Sequence, residues 1–423
     1  MKNIQVVIGA NYGDEGKGRM TNYFAAKNYD KCAVVRFNGG AQAGHTVVSG
    51  RQRHVFSHFG SGSFDYIPTI LTKDFVCSPY LFMKENNELI RKGVIRPDIY
   101  VDPKCPITTP WDMFINQEIE RARGNGRHGS VGVGFGETLE RHGYDYCDFQ
   151  LTVEDIIHRP TLCMKINAIL GEYIPMRLAE LGIDNVVMGN LRHVYHQYEL
   201  QCRAFLERII VMDEAEALNQ FDNLVFEGAQ GLALDQESAD FPHVTRSFTG
   251  IDNVLRVLDT AKIDDPINLA YVTRPYLTRH GAGPLKREIT DGEDGFGRLF
   301  NVVDETNKPH EFQGSLRLAI LDIDDAIARI LKDQFKVPVK RIGRISLAIT
   351  CLDQAVGENG FPAVLDGRPY MFSPKVFAAE FGTRINASHV VMCHGEEDYL
   401  ITEGRLMNPQ HIEEFYGDEE DEC

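Results

Sequence analysis

Short apolar runs rich in valine and isoleucine recur along this chain and set what it can fold into. Residues 4–10, 32–37, 185–188, 224–227, 267–273 and 345–350 are nearly continuous in apolar character, as strands buried on both faces are. Helix-length stretches separate most of them, for example 78–92, 152–170 and 320–333. The alternation predicts an α/β fold with a large, mostly parallel sheet and helices on both faces. Residues 100–220 hold more helical than strand pattern and read as a helical insertion. Nothing rich in Pro, Gly and Ser divides the chain, so residues 1–412 are expected to form one elaborated domain, followed by an acidic tail at 413–423.

Charge narrows the partners. The chain has 44 Lys and Arg against 61 Asp and Glu, a net charge of −17, and such a field repels nucleic acid and anionic membrane surfaces. Small anions remain compatible with a local basic site. The nine cysteines are scattered and form no C-x-x-C pair, which argues against a disulfide framework or a zinc knuckle. No apolar run is long enough to span a bilayer, and the first residues enter a strand pattern with no secretory leader. A cytoplasmic protein is expected.

The first strand runs into Gly9-Ala10-Asn11-Tyr12-Gly13-Asp14-Glu15-Gly16-Lys17-Gly18. A strand, a glycine-rich turn with a lysine and then a helix is the layout of a phosphate cradle. It is a degenerate one: Asn11 stands at the first glycine of GxxxxGK[ST], and Gly18 replaces the hydroxyl. Two carboxylates inside such a loop repel phosphate unless a cation or a proton-accepting task justifies them. Asp14 suits both, as a Mg²⁺ ligand and a general base. A second loop, Gly39-Gly40-Ala41-Gln42-Ala43-Gly44-His45-Thr46, follows another buried strand and should open on the same sheet edge. There His45 is a candidate to protonate or polarise a substrate oxygen, although a lone histidine is more often structural.

These motifs together resemble the adenylosuccinate synthetase family. Gly13-Asp14-Glu15-Gly16-Lys17-Gly18 and Ala43-Gly44-His45-Thr46-Val47 are followed in order by His128-Gly129-Ser130-Val131-Gly132-Val133-Gly134, then by Glu227-Gly228-Ala229-Gln230-Gly231. Val244-Thr245, Thr278-Arg279 with Gly281-Ala282-Gly283-Pro284, Thr350-Cys351-Leu352-Asp353 and Cys393-His394-Gly395 complete the series. The resemblance implies a P-loop-like fold and a ligase that uses GTP and Mg²⁺. Such an enzyme phosphorylates the 6-oxo group of a purine nucleoside monophosphate and then displaces phosphate with the amine of aspartate.

By that resemblance Asp14 is the base and a Mg²⁺ ligand, Gly44 ligates the metal through its carbonyl, and His45 donates to the leaving oxygen. Lys17, with Gly13, Glu15, Gly16, Gly18 and Thr46, belongs to the nucleotide cradle. Gln42, Ser130, Val131, Gln230 and Thr245 surround the monophosphate. Thr350 and Asp353 fall where the family reads the guanine base. Arg141 matches an arginine that crosses a homodimer interface to the partner's site.

Three departures bear on the substrates. The family's amino-acid loop, T-T-G-R-x-R-R, survives here only as Gly314 and Arg317, which leaves Arg317 to hold one carboxylate of a simpler amino acid. Cys351 replaces the lysine that packs beside guanine, relaxing donor preference from GTP towards ATP. Val131 and Arg246 replace a threonine and a serine, so the acceptor's sugar or base is open, ribose or deoxyribose. Retention of Asp14 favours an inosine-type acceptor. The competing class is a nucleotide-binding regulatory protein that has lost ligation; it would need Lys17 and the glycines, but not Asp14 and His45 together.

Overall fold

The computed structural model describes residues 1–50, 52–94, 97–124, 128–183, 191–289, 300–302, 314–355, 357, 360–395, 401–408 and 411–412. The strand expected at 185–188, most of the segment preceding Gly314 and the acidic tail lie outside the described residues.

An eleven-stranded sheet organises the chain. In spatial order its strands are His411–Ile412, Ile401–Asn408, His389–Cys393, Ile342–Ile349, Ile267–Thr273, Asn3–Gly9, Asn223–Gly231, Cys32–Arg36, Thr69–Leu71, Ile99–Val101 and Ile210–Val211. Neighbours from His389–Cys393 to Ile210–Val211 pair in parallel, and the two strands at the other end are antiparallel. The expected α/β class is therefore what forms. The strand Asn3–Gly9 lies mid-sheet and is buried along all but its first residue, which explains its unbroken apolar run. Ile4, Val6 and Ile8 face one core with Leu224, Phe226, Leu269 and Leu347, while Val7 faces a second with Met20, Phe24 and Val34.

The helix-rich stretch falls between strands Ile99–Val101 and Ile210–Val211. It contributes Trp111, Phe149, Tyr173, Tyr198 and Phe205 to a further core, shared with Val47, Phe56, Phe75 and Phe82 from earlier in the chain. Two helical readings need correction. The stretch 152–170 is broken: helix Val153–Ile157 ends at His158, and Arg159–Ala168 starts afresh with a proline in its first turn. The stretch 320–333 begins as strand Arg317–Asp322, and the helix Ile323–Gln334 starts only where the Asp322 carboxylate accepts the Asp325 N–H. That strand belongs to a separate four-stranded sheet with Tyr276–Arg279, Phe361–Leu365 and Arg368–Phe372, which the sequence pattern did not announce. No described helix is long and apolar enough to cross a membrane.

Candidate active site

The glycine-rich loop leaves the C-terminal end of the central strand and feeds helix Lys17–Lys27, so its amides gather at a helix N-terminus. Gly16 has φ +78°, and a Cβ there would lie 2.9 Å from Thr350 Cγ2. A Cβ at Gly18 would come within 2.8 Å of the His45 Cβ. The residue that replaces the P-loop hydroxyl is thus the one that lets His45 approach. Asp14 itself adopts φ +54° and Gln230 φ +62°, left-handed conformations that cost a non-glycine residue energy and cluster at functional sites.

Glu227 was not singled out by sequence reasoning, and it organises the site. In register it lies between Val7 and Arg36 on the neighbouring strands and is fully buried. Its Oε1 is 2.5 Å from His45 Nδ1, its Oε2 accepts the Ser61 N–H at 3.1 Å, and the Ser61 hydroxyl donates to Oε1. Arg36 Nε stands 3.9 Å away. These neighbours hold the carboxyl below its ordinary range despite the burial that pushes it up. The ion therefore persists and orients the imidazole. His45 Nε2 is buried without a partner, which leaves one ring nitrogen for substrate. A charged residue closing the apolar run 224–226 was the signal available in the sequence.

Burial pulls the His45 pKa down, with Glu227 opposing, so in the open cleft the ring is neutral. Burial likewise lowers the Lys17 ammonium, opposed by Glu15, Asp14 and Glu227. Glu15 is pushed up to about 7 by burial, against the attraction of Lys17. Its Oε1 accepts the Asn11 N–H at 2.7 Å, which ties this second acid of the loop to the loop's own backbone.

A cleft of about 610 Å³ gathers Asp14, Lys17, Gln42, Gly44, His45, Ser130, Val131, Gln230 and Thr245 from five separate segments. Both polar atoms of the Gln42 side chain are buried and unpartnered; the Ser130 hydroxyl accepts from Asn116 at 3.0 Å. His280, absent from the sequence reading, joins the wall with Nε2 3.6 Å from Asp14 Oδ2. Gly13, Glu15 and Gly16 lie in the loop, Gly18 in the first turn of the helix and Thr46 in strand His45–Ser49, all behind this surface. The Thr350 hydroxyl donates to the Glu15 carbonyl at 2.9 Å, bracing the cradle, and Asp353 is exposed outside the cleft.

Two expected receptors are occupied within the chain. Arg141 is fully buried, and its guanidinium donates to Asp112 at 2.9 Å and to the carbonyls of Ile107 and Phe149. Arg317 is no open carboxylate receptor either. It donates to Glu288 at 2.7 Å and to the carbonyls of Gly281 and Gly283 at 2.8 and 2.7 Å, one layer behind the cleft wall, while Gly314 is exposed and a Cβ there would meet no described atom within 4 Å.

As to Mg²⁺, among the described residues no group of three or more His, Cys, Asp or Glu is disposed to hold a metal ion. One carboxylate and a carbonyl, Asp14 and Gly44, do line the cleft beside the cradle. That sparse donor set fits Mg²⁺, which takes one or two carboxylates and completes its shell with phosphate and water.

A cradle at a helix N-terminus on the C-terminal edge of a parallel sheet, facing a carboxylate and a carboxylate-held histidine, defines a nucleotide-handling protein of the P-loop-like α/β kind. The chain matches the adenylosuccinate synthetase family profile over residues 6–310 and belongs to that family. It is 32% identical over 312 residues to adenylosuccinate synthetase of Alkalilimnicola ehrlichii, covering 69% of this chain and 66% of that one. With the Chromohalobacter salexigens enzyme it shares 30% identity over 337 residues, 74% of this chain and 69% of the other. These matches therefore span about two thirds of the relatives' length. In fold it resembles fully ligated adenylosuccinate synthetase from Plasmodium falciparum (TM-score 0.67, 17% identity, 94% of this chain and 99% of that one). It also resembles cyanophage S-2L succinoaminodeoxyadenylate synthetase bound to dGMP and dATP as an energy donor (TM-score 0.59, 14% identity, 97% of each chain).

Proposed function

We propose that this protein is a C–N ligase that joins an amino acid to the 6-position of a purine nucleoside monophosphate through a 6-phosphoryl intermediate, with GTP as phosphate donor. The observation that carries the reading is the Glu227–His45 pair at 2.5 Å, with His45 Nε2 unpartnered on the cleft that also holds Asp14 and Lys17. A binder of nucleotides has no use for a buried carboxylate spent on one imidazole. An enzyme that must protonate or polarise an oxygen does.

Each group has a task. The Asp14 carboxylate takes the ring N–H proton of the purine, and the 6-oxygen becomes an oxyanion that attacks the γ-phosphorus as the nucleoside diphosphate leaves. Lys17 and the amides of 13–18 neutralise the transferring group. His45, its proton restored by incoming phosphate charge, donates from Nε2 to the 6-oxygen. The amine nitrogen then bonds to C6, the C6–O bond breaks with its electron pair on phosphate, and the amine gives up a proton. When bound, Mg²⁺ held by Asp14 and the Gly44 carbonyl supplies charge neutralisation on the donor's phosphates.

The test isolates the first half-reaction. GTP labelled with ¹⁸O in the β,γ-bridge is incubated with the protein, Mg²⁺ and IMP, without any amino acid. Scrambling of the label that depends on IMP is expected; its absence with IMP, dIMP, GMP and dGMP alike, and with ATP in place of GTP, overturns the reading.

A further inference from the structure

We infer that Asn116 is a positioning residue: its amide fixes the Ser130 hydroxyl as a hydrogen-bond donor into the cleft, toward the phosphate of the acceptor nucleotide. The inference rests on the ligase reading above and names a residue that prepares the site for its nucleoside monophosphate.

Residues 128–134 belong to no helix or strand, and the backbone turns left-handed at Gly132 and Gly134, with φ +76° and +80°. Such a loop takes its shape from what it lies on, here the helix Pro110–Ala122. A Cβ on Gly134 would come 2.7 Å from the Met113 nitrogen of that helix. Three helix side chains hold the loop. Gln117 Nε2 donates to the Gly132 carbonyl at 3.0 Å, and Glu120 Oε2 accepts the Gly129 N–H at 3.2 Å. Asn116 makes two bonds: its Oδ1 accepts the Gly134 N–H at 3.2 Å, and its Nδ2 donates to Ser130 Oγ at 3.0 Å.

The direction of these bonds is what matters. A backbone N–H can only donate, so the amide oxygen of Asn116 must face Gly134 and its NH₂ group must face Ser130. The Ser130 oxygen is thereby an acceptor, and its one hydrogen has to point elsewhere. Among the described residues nothing accepts that hydrogen, nor the N–H groups of Ser130, Val131 and Gly132. All three residues line the cleft, as does Asn116. A hydroxyl and successive amides left over on one short loop suit an anion with several acceptor oxygens. The loop at 13–18 and Lys17 serve the donor's phosphates, so the acceptor's own phosphate falls to this second loop. Without Asn116 the hydroxyl could accept as readily as donate. With it, the donor is set before any ligand arrives, and ordering it costs nothing on binding.

The experiment is a double-mutant cycle on the full chain. Calorimetry gives Kd for IMP, or for whichever of dIMP, GMP and dGMP scrambles the ¹⁸O label, and separately for GTP, in wild type, Asn116→Asp, Ser130→Ala and the double variant. Aspartate keeps an acceptor for the Gly134 N–H but turns a second oxygen to Ser130, whose hydroxyl then donates to it and is lost to the ligand. Ser130→Ala is expected to raise Kd for the monophosphate at least about tenfold and to leave GTP unchanged. The new charge of Asn116→Asp repels phosphate with or without Ser130, whereas the turned hydroxyl requires it. Asn116→Asp is therefore expected to weaken the monophosphate at least about fivefold more in the wild-type background than in Ser130→Ala. Equal weakening in both backgrounds, an unchanged Kd in Ser130→Ala, loss of GTP in place of the monophosphate, or no binding of any of the four monophosphates overturns the inference. Label scrambling in wild type is read independently: its absence ends the ligase reading, while the cycle on IMP still decides the role of Asn116.

Discussion

Glu227 and His45 stand 182 residues apart in the chain, yet their side chains meet at 2.5 Å inside the protein. The contact joins the strand Asn223–Gly231 to the hairpin strand His45–Ser49 and fixes which imidazole nitrogen faces the cleft. Since the Glu227 charge raises the His45 pKa against burial, removing it should act on both tautomer and titration. In Glu227→Gln, turnover is expected to fall on the order of 10²-fold or more. The high-pH limb of the rate profile should move to lower pH, because the protonated imidazole loses its nearest anion. Steady-state rates across pH check this; an unmoved profile makes the contact merely structural.

Asp14→Asn keeps the shape and suits the left-handed φ of +54°, which asparagine tolerates well. Turnover is expected to drop by roughly 10²- to 10⁴-fold, while calorimetric binding of GTP without Mg²⁺ persists. Wild-type turnover in this variant excludes Asp14 as the base.

Arg141→Met leaves Asp112 buried with no counter-charge. A loss of about 3 to 5 kcal/mol in unfolding free energy is expected, read from denaturant midpoints, with sedimentation showing the same oligomeric state as wild type. A change of assembly at unaltered stability would return this arginine to an interface.

Asp333 gives a pH dependence far from the cleft. It accepts the Ile251 N–H and the Tyr271 hydroxyl, each at 2.9 Å, and burial pushes its carboxyl from 3.8 up to about 6. With the folded value above the unfolded one, its contribution is complete below 3.8 and is lost as pH rises through about 6. The loss is roughly 3 kcal/mol. Asp333→Asn should remove this decline, so unfolding midpoints of variant and wild type diverge between pH 4 and 7 in the variant's favour; parallel curves contradict the assignment.

Much of this was legible in the linear chain. The parallel sheet was readable because its strands are buried on both faces and so must be apolar throughout. The cradle was readable because a glycine turn between strand and helix is a local device, as were Asp14 and Lys17 within it. Strand Arg317–Asp322 was hidden because its apolar residues run straight into a helix and the boundary is one aspartate cap. His280 carried no signal, since a single histidine acquires meaning only from what surrounds it.

Fold class, family and the phosphate-binding loop follow from residue type and short-range spacing alone. Which charges are available was settled by folding. Arg141 and Arg317 read alike as free cations; folding buries one against Asp112 and ties the other to Glu288. Glu227, unremarkable in its motif, became the group that aims His45. Whether a charge is spent on the protein or left for a ligand depends on partners brought together from distant segments, and no local pattern encodes that.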